Sequence, residues 1–210
     1  MPNYAVQQGD HISGIAEQFG FQKIETIWNH PNNDELKKLR KNPHILFPGD
    51  SVFIPDKAPK SESAATTKVT TFEIDITKLI LNLKFQNLHG DPIASEPVAI
   101  AVEEKNVPPF TTDGDGKTSS EIAKSAKDGL LLINKIHLRI KIGHLDPVDK
   151  QSGQIARLNN LGYEAGDTAT VDADAFRSAV EEFQCDNPPL PVTGDCNVNT
   201  QSKLEKVHGC

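Results

Sequence analysis

The chain has 210 residues, with 22 Lys and Arg against 29 Asp and Glu and a formal net charge of −7. That balance, with no dense basic run, argues against a nucleic-acid partner. No apolar run approaches the ~20 residues of a membrane span, and the length suits one large domain or two to three small ones.

Residues 1–56 read as one compact α/β unit. A short strand starts at Tyr4 and turns into a helix at Asp10, whose carboxylate suits an N-cap. Ile12, Ile15, Ala16 and Phe19 follow at helical spacing, and Gly20 supplies a stop. Ile24, Ile27 and Trp28 mark a second helix, with Trp28 on its apolar stripe. Pro48-Gly49-Asp50 is a turn, and a closing strand runs from Ser51 to Pro55. Residues 57–67, rich in Lys, Ser, Ala and Thr with a Pro, form a linker.

From 68 to 147 the period changes to two. Leu79, Leu81, Leu83 and Phe85 alternate with more polar neighbours, as do Val98, Ile100 and Val102. His89-Gly90-Asp91-Pro92 is a turn, and Pro108-Pro109 breaks the run that follows. Further strands are expected at Leu130, Leu131, Leu132 and Ile133, and at Ile136, Leu138, Ile140 and Ile142. Asp113-Gly114-Asp115-Gly116 reads as a hairpin turn. Counted as a calcium loop from Asp113, its fifth and twelfth positions hold Lys117 and Lys124, which are not ligands. The pattern predicts an antiparallel β-sandwich.

Residues 148–210 return to helical spacing. Ile155, Leu158 and Leu161 lead to Gly162. Asp172 caps a helix carrying Phe176, Ala179, Val180 and Phe183, and Asn197 caps one with Leu204 and Val207 inward. Cys185, Cys196 and Cys210 all lie here. Their odd number leaves at least one unpaired, and both a single disulfide and three free thiols remain open. The fold expected is multidomain α+β: a βααβ unit, an antiparallel β-sandwich and a three-helix bundle.

The first unit resembles a LysM domain through Tyr4-x-Val6-x-x-Gly9-Asp10-x-Ile12-x-x-Ile15-Ala16, Trp28-Asn29 and Pro48-Gly49-Asp50-x-Val52-x-Ile54-Pro55. The resemblance implies binding of N-acetylglucosamine-containing glycans such as peptidoglycan. The sugar would lie in a groove with Gly9, Asp10, His11 and Ile12 facing Asn29, His30, Pro31, Phe47 and Pro48. The charged segment 31–47, with Lys37, Lys38, Arg40 and Lys41, would rim one wall. The middle segment resembles the immunoglobulin-like or transthyretin-like modules that act as spacers or docking platforms. The last is similar to the three-helix peptidoglycan-binding domain of cell-wall hydrolases, on Gln154-x-Ala156-x-Leu158-Asn159-x-Leu161-Gly162-Tyr163, Ala179-Val180-x-x-Phe183-Gln184 and Leu190-Pro191-Val192-Thr193-Gly194. It departs from that family between Tyr163 and Phe176.

No paired-carboxylate, zinc or Cys–His apparatus is recognisable, and the tight cluster of His144, Asp146 and Asp149 reads as a polar interdomain linker rather than a metal site. The expectation is therefore a non-catalytic adaptor that binds peptidoglycan, with no cofactor and no metal. The chain starts without a recognisable signal peptide. With LysM-like and peptidoglycan-binding-like modules flanking a sandwich, it resembles by module order the accessory proteins of bacterial contractile injection machines, such as type VI secretion, which would reach the periplasm or cell wall by a non-classical route. A protein-interaction subunit is the alternative, and a wall hydrolase the minor one.

Overall fold

The computed structural model describes residues 3–58, 61, 63–71, 78–87, 89–102 and 105–210, the last range with backbone only at 105–108. Of the expected linker, residues 59, 60 and 62 lie outside that description. The chain is mixed α+β and divides into two compact units: 1–44 with 48–143, and 45–47 with 144–210.

The first unit opens with strand β1 (Asn3–Ala5), helices α1 (Ile12–Gln18) and α2 (Glu25–Trp28), a 3-10 turn (Pro31–Asn33), helix α3 (Asp34–Arg40) and strand β2 (Ser51–Phe53). Segment 31–47 thus contributes a third helix, α3, beyond the βααβ order expected. Ile12, Ile15, Ala16 and Ile27 are buried, and Trp28 is only 7% exposed, which places it in the core. Helix α1 ends as its glycine predicts: Gly20 has φ +69°. Its N–H donates to Glu17 O, and that of Phe21 to Ala16 O, a Schellman closure. The N-terminus differs from expectation. His11, not Asp10, is the N-cap, its side chain accepting from the Gly14 N–H. Asp10 Oδ2 is already committed to the Tyr4 hydroxyl at 2.7 Å and the Gln7 N–H at 2.9 Å.

Two three-residue strands cannot hold themselves together. Three further contacts fasten them. Val6 N donates to Asp50 O, and Gly49 N donates to Val6 O. Asn33, buried, exchanges hydrogen bonds with Phe53 N and O at 2.8 and 2.9 Å and reaches Ile27 O. The Arg40 guanidinium grips both oxygens of Asp50 at 2.7 and 2.8 Å, with the two side chains 4% and 7% exposed.

Downstream, β3 (Leu79–Lys84) pairs antiparallel with β6 (Lys117–Ile122). A second antiparallel sheet runs β5 (Lys105–Thr111), β4 (Pro97–Val102), β7 (Asp128–Ile133), β8 (Ile136–Lys141). Both sheets feed one core: Leu79 and Ile122 from the first, Val98, Ile100, Val102, Leu131 and Ile133 from the second. Three details differ from expectation. Pro108 and Pro109 do not break the strand; they lie within β5, where the register with β4 shifts between Val98 and Ile100, a bulge in a strand that ends the described sheet. The Asp113 turn is not a hairpin, because it joins β5 and β6, which belong to different sheets. Its Asp113 Oδ1 accepts from the N–H groups of Asp115 and Lys117. Ile136 and Leu138 in β8 remain exposed although their register partners Ile133 and Leu131 are buried.

The second unit holds α4 (Gln151–Asn160), α5 (Ala173–Asp186) and α6 (Val198–His208). They pack on Ile155, Leu158, Ala179, Val180, Phe183 and Leu204. Asp172 and Asn197 cap α5 and α6 as read from sequence, whereas Val207 is exposed rather than inward. Gly162 (φ +94°) ends α4 with the same double bond pattern as Gly20. Gln184, buried, fastens the 193–195 loop: its Oε1 accepts from Thr193 N and Gly194 N, and its Nε2 donates to Asp195 O and Thr200 Oγ1. Arg157, fully buried, donates to Asp146 O, Gly153 O and Cys210 O. The three cysteines are free thiols.

Removing one partner of the Arg40–Asp50 pair strands a buried charge. Arg40→Met is expected to destabilise the first unit by about 3–5 kcal/mol, and adding Asp50→Leu to restore most of that. Urea unfolding followed by the fluorescence of Trp28, the sole Trp, measures both. In the second unit, Gln184→Leu keeps the volume but strips the 193–195 amides of their acceptor. A loss of about 2–3 kcal/mol, read by circular dichroism melting of the full chain, is the expected outcome.

Candidate functional site

The turn from Gln7 to Asp10 sets the first wall. Asp10 N donates to Gln7 O, and Gly9 at φ +86° takes the third position, where a turn of this kind needs positive φ. The chain then enters α1 through His11, and Ile12 N donates to Pro43 O. Residues 9–12 are therefore brought against Pro43 and His44. The His11 and His44 rings stand 5.9 Å apart. Gly9, His11 and Ile12 are buried and Asp10 is half-buried.

The other expected wall is arranged around β2. His30 lies on the Phe53 ring, centroids 4.6 Å apart, and its Nδ1 accepts from Asn32 N. Pro31 opens the 3-10 turn, where its missing N–H costs nothing. Asn29, exposed, accepts at Oδ1 from Lys37 Nζ at 2.6 Å, so one of the basic side chains of the 31–47 segment already engages it. Pro48 begins the turn latched to Val6. Phe47 groups with the second unit, where Lys150 Nζ stands 5.3 Å over its ring.

Residues that no local pattern signals complete the surroundings of 9–12. The turn between β6 and β7 and Gly143, two residues after β8, lie against this loop. Lys127 Nζ is 3.8 Å from Asp10 Oδ1, and Lys124 Nζ donates to Gln22 O at 3.2 Å. A Cβ placed on Gly143 would lie 2.6 Å from the Gly9 carbonyl oxygen and 3.0 Å from His11 Cδ2. One placed on Gly14 would lie 3.3 Å from the Lys124 carbonyl oxygen. Between these elements is a cleft of about 330 Å³ lined by Gly9, Asp10, His11, Gly14, Lys124 and Lys127 among others. A neighbouring cleft of about 430 Å³ is flanked by Phe21 and by Lys78 and Glu121, which pair at 2.7 Å.

Electrostatics follow from burial. His11 is pushed down to about 4, first by desolvation and then by His44, with Lys127 adding to the effect and Asp10 opposing it. His44 is lowered by burial too. Tyr4 is raised to about 12 by burial and by its bond to Asp10. At neutral pH the loop therefore presents a neutral imidazole, a carboxylate already holding two donors, and backbone groups. In the second unit, Asp146 Oδ2 accepts from Ser152 Oγ at 2.5 Å. Among the described residues no group of three or more His, Cys, Asp or Glu is placed to hold a metal ion, and no helix is long and apolar enough to cross a membrane.

No family model, curated protein or solved structure matches the chain.

The depressed His11 makes stability pH-dependent with a definite sign. The unfolded chain protonates this imidazole near pH 6.5 and the folded one only near 4, so folding is favoured above 6.5 and loses ground as pH falls towards 4. Expected is a loss of about 3 kcal/mol across that window, with His44 adding in the same direction. His11→Asn, which retains a capping oxygen for Gly14 N, removes the His11 share. Urea midpoints followed by Trp28 fluorescence at pH 7, 5.5 and 4.5 measure the slope.

Proposed function

We propose that this protein is a non-catalytic adaptor for peptidoglycan or another N-acetylglucosamine-containing glycan. It would combine a LysM-like module, a β-sandwich spacer and a peptidoglycan-binding-like three-helix unit. The observation that carries the reading is the turn-and-strand frame of the first module. Tyr4, Val6, Gly9, Asp10, Ile12, Ile15 and Ala16 and the Pro48-Gly49-Asp50 turn all occupy positions in one closed frame, held by the Val6 bonds to Gly49 and Asp50. The conformational roles of Gly9 and Gly49, both at positive φ, match the demand of the motif for glycine there. In the second unit, the supported feature is the pair Tyr163–Phe183, edge to face at 5.7 Å, beside the loop that Asn159 fastens through Ala165 N and Gly166 O. By analogy of module order, the adaptor would serve a contractile injection machine that delivers it to the periplasm or cell wall.

One observation favours a second reading. Gly9, His11 and Ile12 are buried, so the end modules would instead dock protein partners, with the glycan folds kept as scaffolds. Proton-transfer chemistry has no support at the loop, because Asp10 is tied to Tyr4 and Gln7.

Co-sedimentation of the full chain with insoluble peptidoglycan sacculi separates the two. A glycan adaptor is expected to pellet in proportion to sacculus load and to release no soluble muropeptides. Retention in the supernatant at every load would sink the glycan reading and leave protein docking, while release of fragments would point to a hydrolase.

A further inference from the structure

The surroundings of residues 9–12 carry an inference about how the proposed glycan site is controlled, and it rests on the glycan reading. The expected sugar-binding loop is already in contact with another part of the same unit. Three contacts press on it from the end of the β-region: the Gly143 backbone against Gly9 O and His11, the Lys124 carbonyl against Gly14, and Lys127 beside Asp10. Those contacts come from one place. Ile142 N donates to Lys127 O, and Ala126 N to Ala123 O, so Gly143 and the 123–127 turn share one end of the two sheets.

The contact is close but weakly held. Gly143 approaches at a distance only a glycine allows, and its φ of +77° is one that side chains rarely adopt. The ion pair is long, 3.8 Å, and its lysine side chain is 57% exposed, so screening leaves it little energy. Among the described residues, the buried core of the β-region contains none from 1–58. A contact made of backbone approach and two lysines is of the releasable kind.

We propose that the 123–127 turn and Gly143 form an autoinhibitory stopper on the 9–12 loop, so that a glycan reaches Gly9, Asp10 and His11 only when the β-region moves off. The closed form stores the module with its recognition groups covered. The open form exposes Gly9, the outer edge of Asp10 and the His11 ring together. Because a glycan would bind the open form alone, its apparent affinity is reduced by the fraction of molecules that are open.

Two full-chain variants loosen the contact by different means and leave every proposed glycan-binding residue intact. Gly143→Asn tolerates positive φ but places a Cβ against Gly9 O. Lys127→Glu sets a carboxylate beside Asp10. The probe is penta-N-acetylchitopentaose in isothermal titration calorimetry, and the peptide spanning residues 7–13 is followed in parallel by hydrogen exchange and mass spectrometry. Expected are faster exchange at 7–13 and at least tenfold tighter chitopentaose binding in both variants than in the unmodified chain. Faster exchange with unchanged binding would overturn the stopper and leave the glycan reading standing. Unchanged exchange in both variants would overturn it directly, since the contact would not be protecting the loop. Faster exchange with no binding by any of the three proteins would remove the glycan reading, and the stopper with it.

Discussion

The buried pair between Arg40 and Asp50 is the constraint on which the N-terminal module depends. Strands of three residues bury too little to persist alone, and β1 and β2 are that short. A bidentate guanidinium–carboxylate contact taken out of water is geometrically demanding. It fixes α3 against the turn at Pro48-Gly49-Asp50. The same aspartate offers its backbone oxygen to Val6. One residue thereby ties the charged helix, the closing turn and the first strand, and Asn33 ties the second strand to α2. The 31–47 segment is thus a structural brace as much as a rim. Its Arg40 points inward to Asp50 while Lys37 reaches Asn29 and Lys38 pairs with Glu35.

From that frame the position of the 9–12 loop follows. Tyr4 and Gln7 hold Asp10, which leaves His11 to cap α1 and turns its ring inward against His44. A polar loop packed this way is stable only while its imidazoles stay neutral, because each charged ring would lose its hydration without gaining an anion of its own; Asp10 already serves two donors. Burial, the pH response and the approach of Gly143 are three consequences of the same close packing. The groups packed most closely in this loop, Gly9, Asp10 and His11, are also the groups that seat the β-region.

In the second unit the equivalent organising group is Gln184. A neutral amide can satisfy two backbone N–H groups and two acceptors at once, and here it does so without carrying charge into the core. Arg157 works differently: its buried cation donates to three backbone carbonyl oxygens, from Asp146, Gly153 and Cys210. Ordered carbonyls of this kind replace the hydration that the guanidinium loses on burial, and the nearby Glu205 and Asp146 carboxylates favour its charge.

Much of the local structure was legible in the sequence, because it depends on neighbours a few residues apart. Helical spacing marked α1, α4 and α5; Gly20 and Gly162 marked their stops; Asp172 and Asn197 marked caps; alternation marked β3 and β4. Local signals misled in two places: Asp10 looked like a cap but was claimed by Tyr4 and Gln7, and the Asp113 turn, closed by its own bonds to Asp115 and Lys117, looked like a hairpin but joined strands of two different sheets. Nothing local could show that Lys124, Lys127 and Gly143 meet residues 9–14. Those groups are more than a hundred positions away in the chain, and their approach depends on where two sheets end in space. The sequence by itself determined most of the helices, turns and alternating strands, since backbone propensity and apolar period are short-range; it did not mark α3, and it read Pro108-Pro109 as a break where β5 runs. The tertiary structure alone decided which loop is covered and which histidines share a buried site, because burial is set by what the completed fold places on top.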